Sequence, residues 1–435
     1  MSANTPLISV IIPTHNRCQS LQRLLNALQT QSYPLNCIEV IVVADGCSDT
    51  TIEMLKEYQA PYTLRFLEQP GQGAATARNQ GAEMATGSLL LFLDDDIEPS
   101  PHLVEAHINA HYVPNRVVIG YLPPSLQSQS SFFHISLWAW WEEKFQTMCQ
   151  IGHRYSYDDL LSGNFSLPAK LFKLVGGFDS TFKCREDYEL GARLIKVDSD
   201  FIFVPDALGY HRDEVTNLDR SLRRKRQEGR ADVLFGQRHP DLIYKLRLSY
   251  FGDALSFIDH IFLFLAFRIP AISDLLATGL RQVLNLLEWL RIRSIWLELN
   301  NKLHGYWYLR GIVEQLKTHK ALTNLLQSGL IRLDRQDTEL ELDLQQGLIA
   351  AEQLLDKTRP MSARIRYGQQ FVGLIPPKAG AERLRGVHLR RILATNLSFP
   401  FLQALAFEGV LDQRIDKKVE SLNGNIEPVK LMGIL

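Results

Sequence analysis

From Leu7 to Leu93 the hydrophobic positions switch between two periods. Short apolar runs at Leu7–Ile12, Ile38–Ala44, Thr63–Leu67 and Leu89–Leu93 read as strands, and the stretches between them repeat at the helical period. Leu21, Leu24, Leu25 and Leu28 fall at i, i+3, i+4 and i+7, which is one buried face of a helix. Thr50 and Glu53 have the spacing of a capping box ahead of Ile52, Leu55 and Tyr58. A βαβα series joined by right-handed crossovers predicts an α/β fold with a mostly parallel, doubly wound sheet. The ligand crevice of such a sheet lies at the carboxyl ends of its strands.

Beyond Pro123 the pattern becomes irregular and aromatic, with Phe132, Phe133, Trp138, Trp140 and Trp141 close together. A helix covering the core and a platform for a sugar ring are both open readings. From about residue 240 the alternation gives way to long helical patterns, including Leu275–Leu299. The apolar stretch Ala254–Ile272 is interrupted by Asp259, His260, Arg268 and Pro270, which leaves Ile261–Phe267 far short of the roughly 20 residues a spanning helix needs. It reads as an interfacial or a buried helix. A final segment carries a strand-like stretch around Ala363–Leu374 and the turn pair Pro376-Pro377. The predicted division is residues 1–238 as the catalytic domain, 239–328 as a helical, membrane-proximal region, and 329–435 as an accessory region to which no function is assigned.

The 435 residues carry a formal net charge of -1, so no global field draws the chain to nucleic acid, and nucleic acid is not expected as a partner. The five cysteines, Cys18, Cys37, Cys47, Cys149 and Cys184, form no CxxC pair, which argues against a disulfide framework or a zinc knuckle. An apolar strand begins at Leu7 without a basic flank or a signal-length hydrophobic run. These features point to a cytoplasmic protein, peripheral on the cytoplasmic face of a membrane if Ala254–Ile272 is interfacial.

Polar clusters follow the strands where the crevice is expected. The first strand runs into Pro13-Thr14-His15-Asn16-Arg17, and the second into Asp45-Gly46-Cys47-Ser48-Asp49. Asp45 is placed to meet a base or ribose edge, while Asp49 reads better as a helix cap. Gly71-Gln72-Gly73 is a weak dinucleotide signal, since the third glycine is missing; Arg78 further on could meet a diphosphate or a carboxylate. The strongest feature is Asp94-Asp95-Asp96 directly after Leu89–Leu93, where three adjacent carboxylates need a counter-cation. Hard oxygen donors suit Mg2+ or Mn2+ together with substrate phosphates. Downstream, Glu186-Asp187 opens a helix, His211 offers an imidazole, and Arg220–Arg230 places Arg223, Arg226 and Arg230 on one helical face. That basic face is a solvated surface, a diphosphate clamp or a lipid contact.

Taken in order, these motifs resemble glycosyltransferase family 2 with the GT-A fold, over about residues 7–235. The resemblance rests on SVIIPTHNR at Ser9–Arg17, EVIVVADGCSDTT at Glu39–Thr51, ARNQGAEMATGSLLLFLDDD at Ala77–Asp96, Gly163-Asn164 in GNFSLPA, GGFD, and Glu186-Asp187. It implies that Thr14, Asn16 and Asp45 contact the nucleotide, that Arg78 lies near it, and that Asp94 and Asp96 form the DxD element. Pro13, Arg17, Asp95 and Asn164 are the further substrate-binding candidates. Asp96 would hold the metal and His211 would be a second ligand; Asp187 would be the general base, with Glu186 beside the acceptor. The chain departs from many relatives at Ala44, where they carry an aspartate.

The reading that follows is a metal-dependent, inverting glycosyltransferase. It would move a sugar from a nucleotide diphosphate donor, UDP-linked by expectation, to a hydroxyl of a glycan or lipid-linked acceptor. Nucleotidyl transfer on a related sheet and non-catalytic binding of a nucleotide sugar are the alternatives. The Glu186-Asp187 pair argues against mere binding, which needs no base.

Overall fold

The structure is a computed structural model that describes residues 6–123, 131–212, 217–252, 257–330 and 339–411. The chain forms two compact units, one of residues 1–148 and 156–334, the other joining 149–155 to the chain from 335 onward. The helical residues after 239 therefore fold in with the predicted catalytic domain.

In the first unit the early sequence forms β1 (Ile8–Thr14), α1 (Cys18–Leu28), β2 (Ile38–Asp45), α2 (Thr51–Glu57), β3 (Thr63–Gln69), α3 (Ala74–Met84) and β4 (Leu89–Leu93). These strands lie parallel in the order β3-β2-β1-β4. Every residue of β1, β2 and β4 is buried, which is why they read as continuous apolar runs without alternation. Leu21, Leu24, Leu25 and Leu28 form the buried face of α1, as their spacing predicts. The predicted capping box ahead of α2 does not form: the Thr50 side chain makes no cap bond, and Asp49 accepts from the Thr51 amide at 3.2 Å instead. Asp49 also accepts from Cys18 N, so one carboxylate serves two helix starts and outcompetes the threonine.

The chain continues through β5 (Ile97–Pro99), α4 (Leu103–Ala110), β6 (Arg116–Tyr121), α5 (Phe132–Met148), β7 (Asn164–Pro168), α6 (Ala169–Leu174), α7 (Glu186–Lys196) and β8 (Asp200–His211). The eight-stranded sheet extends from β4 as β7-β6-β8-β5. β6 and β8 are parallel, while β7 is antiparallel to both neighbours and β5 to β8. The sheet is thus parallel over its early half and mixed beyond β4. The aromatic segment is α5, and Phe145 stacks between Trp141 and Phe203 in the core, so this helix serves largely as a cover.

Among the described residues the unit continues as α8 (Leu218–Arg238), α9 (Phe257–Arg268), α10 (Pro270–Trp289), α11 (Arg293–Leu316) and α12 (His319–Leu330). α8 and α11 cross at Gly229 and Gly311, where an added Cβ would lie 2.0 Å from Tyr308 O and 1.9 Å from Arg226 O. Arg226 and Arg230 reach from α8 to Glu314 on α11. Two members of the predicted basic face are therefore spent on helix packing. No described helix is long and apolar enough to cross a membrane.

The second unit holds β9 (Glu339–Asp343), α13 (Leu348–Thr358), β10 (Ser362–Tyr367), β11 (Gln370–Ile375), α14 (Gly386–Thr395) and α15 (Ser398–Phe407). Its sheet order is β11-β10-β9, and its core includes Leu355, Ile365, Leu384 and Leu389. Tyr155 donates its amide to the buried Glu382, which ties residues 149–155 to this unit.

Candidate active site

The carboxyl ends of β1, β2 and β4 lie side by side, so the polar residues after each strand are brought together by strand register. After β1, Asn16 adopts a left-handed conformation with φ 52°, and its Oδ1 accepts from Ser48 N at 2.7 Å and Asp49 N at 3.2 Å. His15 Nδ1 lies 2.6 Å from Asp45 O. Asn16 therefore orders the loop after β2. Pro13 is buried within β1 and shapes the strand end from inside.

Asp45 Oδ1 accepts from Gln69 Nε2 and from Gln72 N, at 2.7 and 2.6 Å, and Oδ2 accepts from Gly73 N at 2.7 Å. Three of about four acceptor positions are used to hold the Gly71–Gly73 loop, leaving one for a ligand. Gly46 has φ 69°, and a Cβ there would lie 2.8 Å from Gly71 N, so the close approach of these loops depends on glycine. Lys183, over a hundred residues onward, donates to Gln72 O at 2.6 Å. Neither Gln69 nor Lys183 carried any local sequence signal, because only the folded loop joins them to Asp45 and Gln72.

The three aspartates after β4 point in different directions. Asp95 accepts from Thr14 Oγ1 at 2.7 Å and from Arg17 at 3.1 Å. Burial pushes its carboxyl up to about 6 despite the Arg17 charge. Asp96 is pushed up by burial too, but the adjacent His211 imidazole and the Arg17 guanidinium hold it below the usual carboxylate range. Its Oδ2 meets Arg17 at 2.5 Å, while Oδ1 is buried without a hydrogen-bond partner, 3.5 Å from His211 Nε2. β5 explains this pairing across the sequence: Ile97 registers with His211, and Arg212 donates its amide to Asp96 O.

Asp94, the most exposed of the three, is held by Arg78 at 2.7 Å. The same buried guanidinium reaches Glu186 at 2.9 Å, so it joins the aspartate turn to the second acidic pair. Burial alone would lower the Arg78 pKa, but Asp94 and Glu186 raise it and keep the cation charged. Asp187, at the start of α7, has its carboxyl pushed up to about 6, first by burial and then by the Glu186 charge. Arg224 acts in the opposite direction on Asp187. Arg224, exposed and paired with Glu228 at 3.6 Å, is the cation of the basic run whose charge bears on Asp187.

Asn164 departs from its predicted role as a ligand contact. It is 0% exposed, donates to Ala207 O at 2.8 Å, and its Oδ1 lies 2.8 Å from His107 Nε2. The antiparallel placement of β7 between β4 and β6 buries it, so it fixes the sheet behind the site.

Among the described residues no three His, Cys, Asp or Glu side chains converge to hold a metal unaided. Asp96 and His211 nevertheless fit one: an orphaned buried carboxylate oxygen faces an imidazole nitrogen across a short gap. Two protein donors leave further positions for ligand phosphate oxygens, as magnesium-type sites commonly do.

Residues 9–175 match the sequence model of glycosyl transferase family 2. The matched span includes Thr14, Asn16, Asp45, Arg78 and the three aspartates after β4, and ends before Glu186, Asp187 and His211. A validoxylamine A glucosyltransferase from Streptomyces hygroscopicus subsp. jinggangensis is 35% identical over 225 residues, covering 44% of this chain and 52% of that protein. A pre-mycofactocin glycosyltransferase from Mycobacterium tuberculosis is 28% identical over 255 residues, covering 57% of this chain and 51% of that protein. The chain thus spans about half the length of these curated relatives. Among solved structures, a mannosyltransferase from Pyrobaculum calidifontis in complex with GDP-Man and Mn2+ overlays with a TM-score of 0.47 at 15% identity, covering 72% of this chain and 87% of that one.

Proposed function

We propose that this chain is a metal-dependent, inverting glycosyltransferase that moves a sugar from a nucleotide diphosphate donor, UDP-linked in our reading, to a hydroxyl of a glycan or lipid-linked acceptor. The observation that carries it is the pairing of two differently tuned acidic centres through Arg78: Asp96 with His211 on one side, Asp187 with Glu186 on the other.

In this reading the loops fixed by Asn16 and Asp45 cradle the nucleotide, with Thr14 and Arg17 orienting Asp95 and Asp96. Asp96 and His211 would hold Mn2+ or Mg2+, which when bound supplies Lewis-acid neutralisation of the diphosphate. Asp187 takes the proton from the incoming hydroxyl, and its raised pKa brings its basicity closer to neutral pH. Glu186, held by Arg78, orients the acceptor beside it. Attack from the face opposite the leaving group inverts the anomeric centre. The setting we assign is the cytoplasmic face of a membrane, with peripheral contact.

The test is release of nucleotide diphosphate by the purified chain, with Mn2+ and a panel of sugar nucleotides, against Asp96→Ala. Release from one donor, reduced on the order of a hundredfold or more in the variant, is the expected result. Pyrophosphate release would assign nucleotidyl transfer instead. Donor binding without turnover under any metal would leave a binding protein.

A further inference from the structure

α10 has more apolar surface than the protein covers. At about 100° per residue, Ala277, Leu284 and Leu287 share one arc of the helix and pack against Trp296, Leu303 and Tyr306. Ile272, Leu275, Leu276, Val283, Leu286 and Leu290 fill the adjoining arc of about 100° and are exposed, Leu275 by 72%. Trp289 at the end of the helix is 77% exposed, and Phe264 on α9 is 61% exposed.

The helix cannot simply roll to hide this arc, because its polar side is engaged. Asp274 is held by Arg310 and Tyr306, Arg281 by Asp219, and Glu288 accepts from Phe132 N. The open arc is therefore presented in a fixed orientation, over a length of about 30 Å.

Charge at its two ends selects the occupant. Arg268 lies at one end, and Arg291 and Arg293 at the other; all three are exposed and have no ion-pair partner among the described residues. Of the nearby acids, Asp274 is paired with Arg310 and Glu298 with Lys302, and Glu288 accepts from Phe132 N on the side of α10 away from the open arc. A second copy docked on the open arc by twofold symmetry would bring these cationic ends together with no acid on that arc to meet them. An anionic lipid surface meets them directly and receives the aromatic side chains at headgroup depth.

We infer that α10, with the outer face of α9, lies in the plane of an anionic bilayer, its exposed arc inserted at the headgroup boundary. This deepens the peripheral contact proposed above and rests on it, while donor turnover stands apart from it. The stretch Ala254–Ile272, read from the sequence as interfacial or buried, lies partly outside the described residues; among the described ones most of the contact falls to α10.

The experiment is flotation of the full chain with vesicles of phosphatidylcholine mixed with phosphatidylglycerol, and with phosphatidylcholine alone. The wild type should float with the anionic vesicles, more weakly at high salt. Leu275→Glu with Leu286→Glu should lower partition at least about tenfold. The circular dichroism spectrum and donor hydrolysis in solution should stay unchanged. Arg268→Gln with Arg291→Gln and Arg293→Gln should remove the preference for phosphatidylglycerol. Wild type that does not float, or a glutamate variant that floats equally well, overturns the inference. So does a wild-type dimer in sedimentation velocity that the glutamate changes convert to monomer. Loss of donor hydrolysis in the wild type itself, with flotation intact, would strike the enzyme reading and leave this one standing.

Discussion

Asp187 shows how a side chain acquires a role that its type alone does not give. An aspartate at a helix N-terminus would ordinarily be stabilised as the anion by the helix dipole. Here burial and the neighbouring Glu186 oppose that and push the carboxyl up to about 6. In the role of general base proposed above, Asp187 must be unprotonated, so transfer should fall as pH drops through about 6 and level off above it. A pH profile of kcat/KM checks this, and Asp187→Asn should cost on the order of 10²–10⁴-fold in transfer at pH 7.5. The linkage to stability has the opposite sense. The folded state binds the Asp187 proton more tightly than the unfolded chain, so this residue's contribution to stability declines as pH rises through about 6. Asp187→Asn should therefore add on the order of 1 kcal/mol of stability at pH 7.5, read as a slightly higher melting temperature, even as it removes transfer. A variant that lost stability as well would point to a packing role for the carboxylate.

Among the elements, α8 and α11 show the strongest dependence on single small residues. The basic run of α8 suggested a ligand-facing surface, yet Arg226 and Arg230 turn to Glu314 because Gly229 and Gly311 let the two backbones meet closely. Gly311→Ala places a methyl group 1.9 Å from Arg226 O, which no rotamer change can relieve. It should destabilise the first unit by about 1–3 kcal/mol, read as a lower denaturant midpoint at unchanged m-value. The same element level explains Asn164. Its neighbours in GNFSLPA were legible as a motif, but β7 runs antiparallel between β4 and β6, and that reversal turns the amide inward. Gly120 on β6 leaves the space it fills, since a Cβ there would lie 2.2 Å from Asn164 Nδ2.

At the scale of the molecule, all the site residues named above belong to the first unit, while the second has its own sheet and core. Leu389→Ala, at a fully buried position of the second core, should cost about 2–5 kcal/mol in that unit. Donor hydrolysis should be retained below the unfolding temperature; parallel loss of both would show that the second unit supports catalysis. What the sequence by itself determined is local. Continuous apolar runs set β1, β2 and β4, helical periodicity set α1, and the aspartates after β4 were bound to emerge at a strand end. Such features depend on neighbours a few residues apart, whose spacing any reading of the chain can measure. Tertiary structure decided which polar groups meet. β5 pairing with β8 sets His211 against Asp96, Arg78 spans from Asp94 to Glu186, and Lys183 closes over Gln72. It also decided that half of the apolar arc of α10 stays open. These outcomes follow from strand order and helix packing over separations of tens to hundreds of residues, where periodicity carries no information about which side chain a charged or apolar group will face.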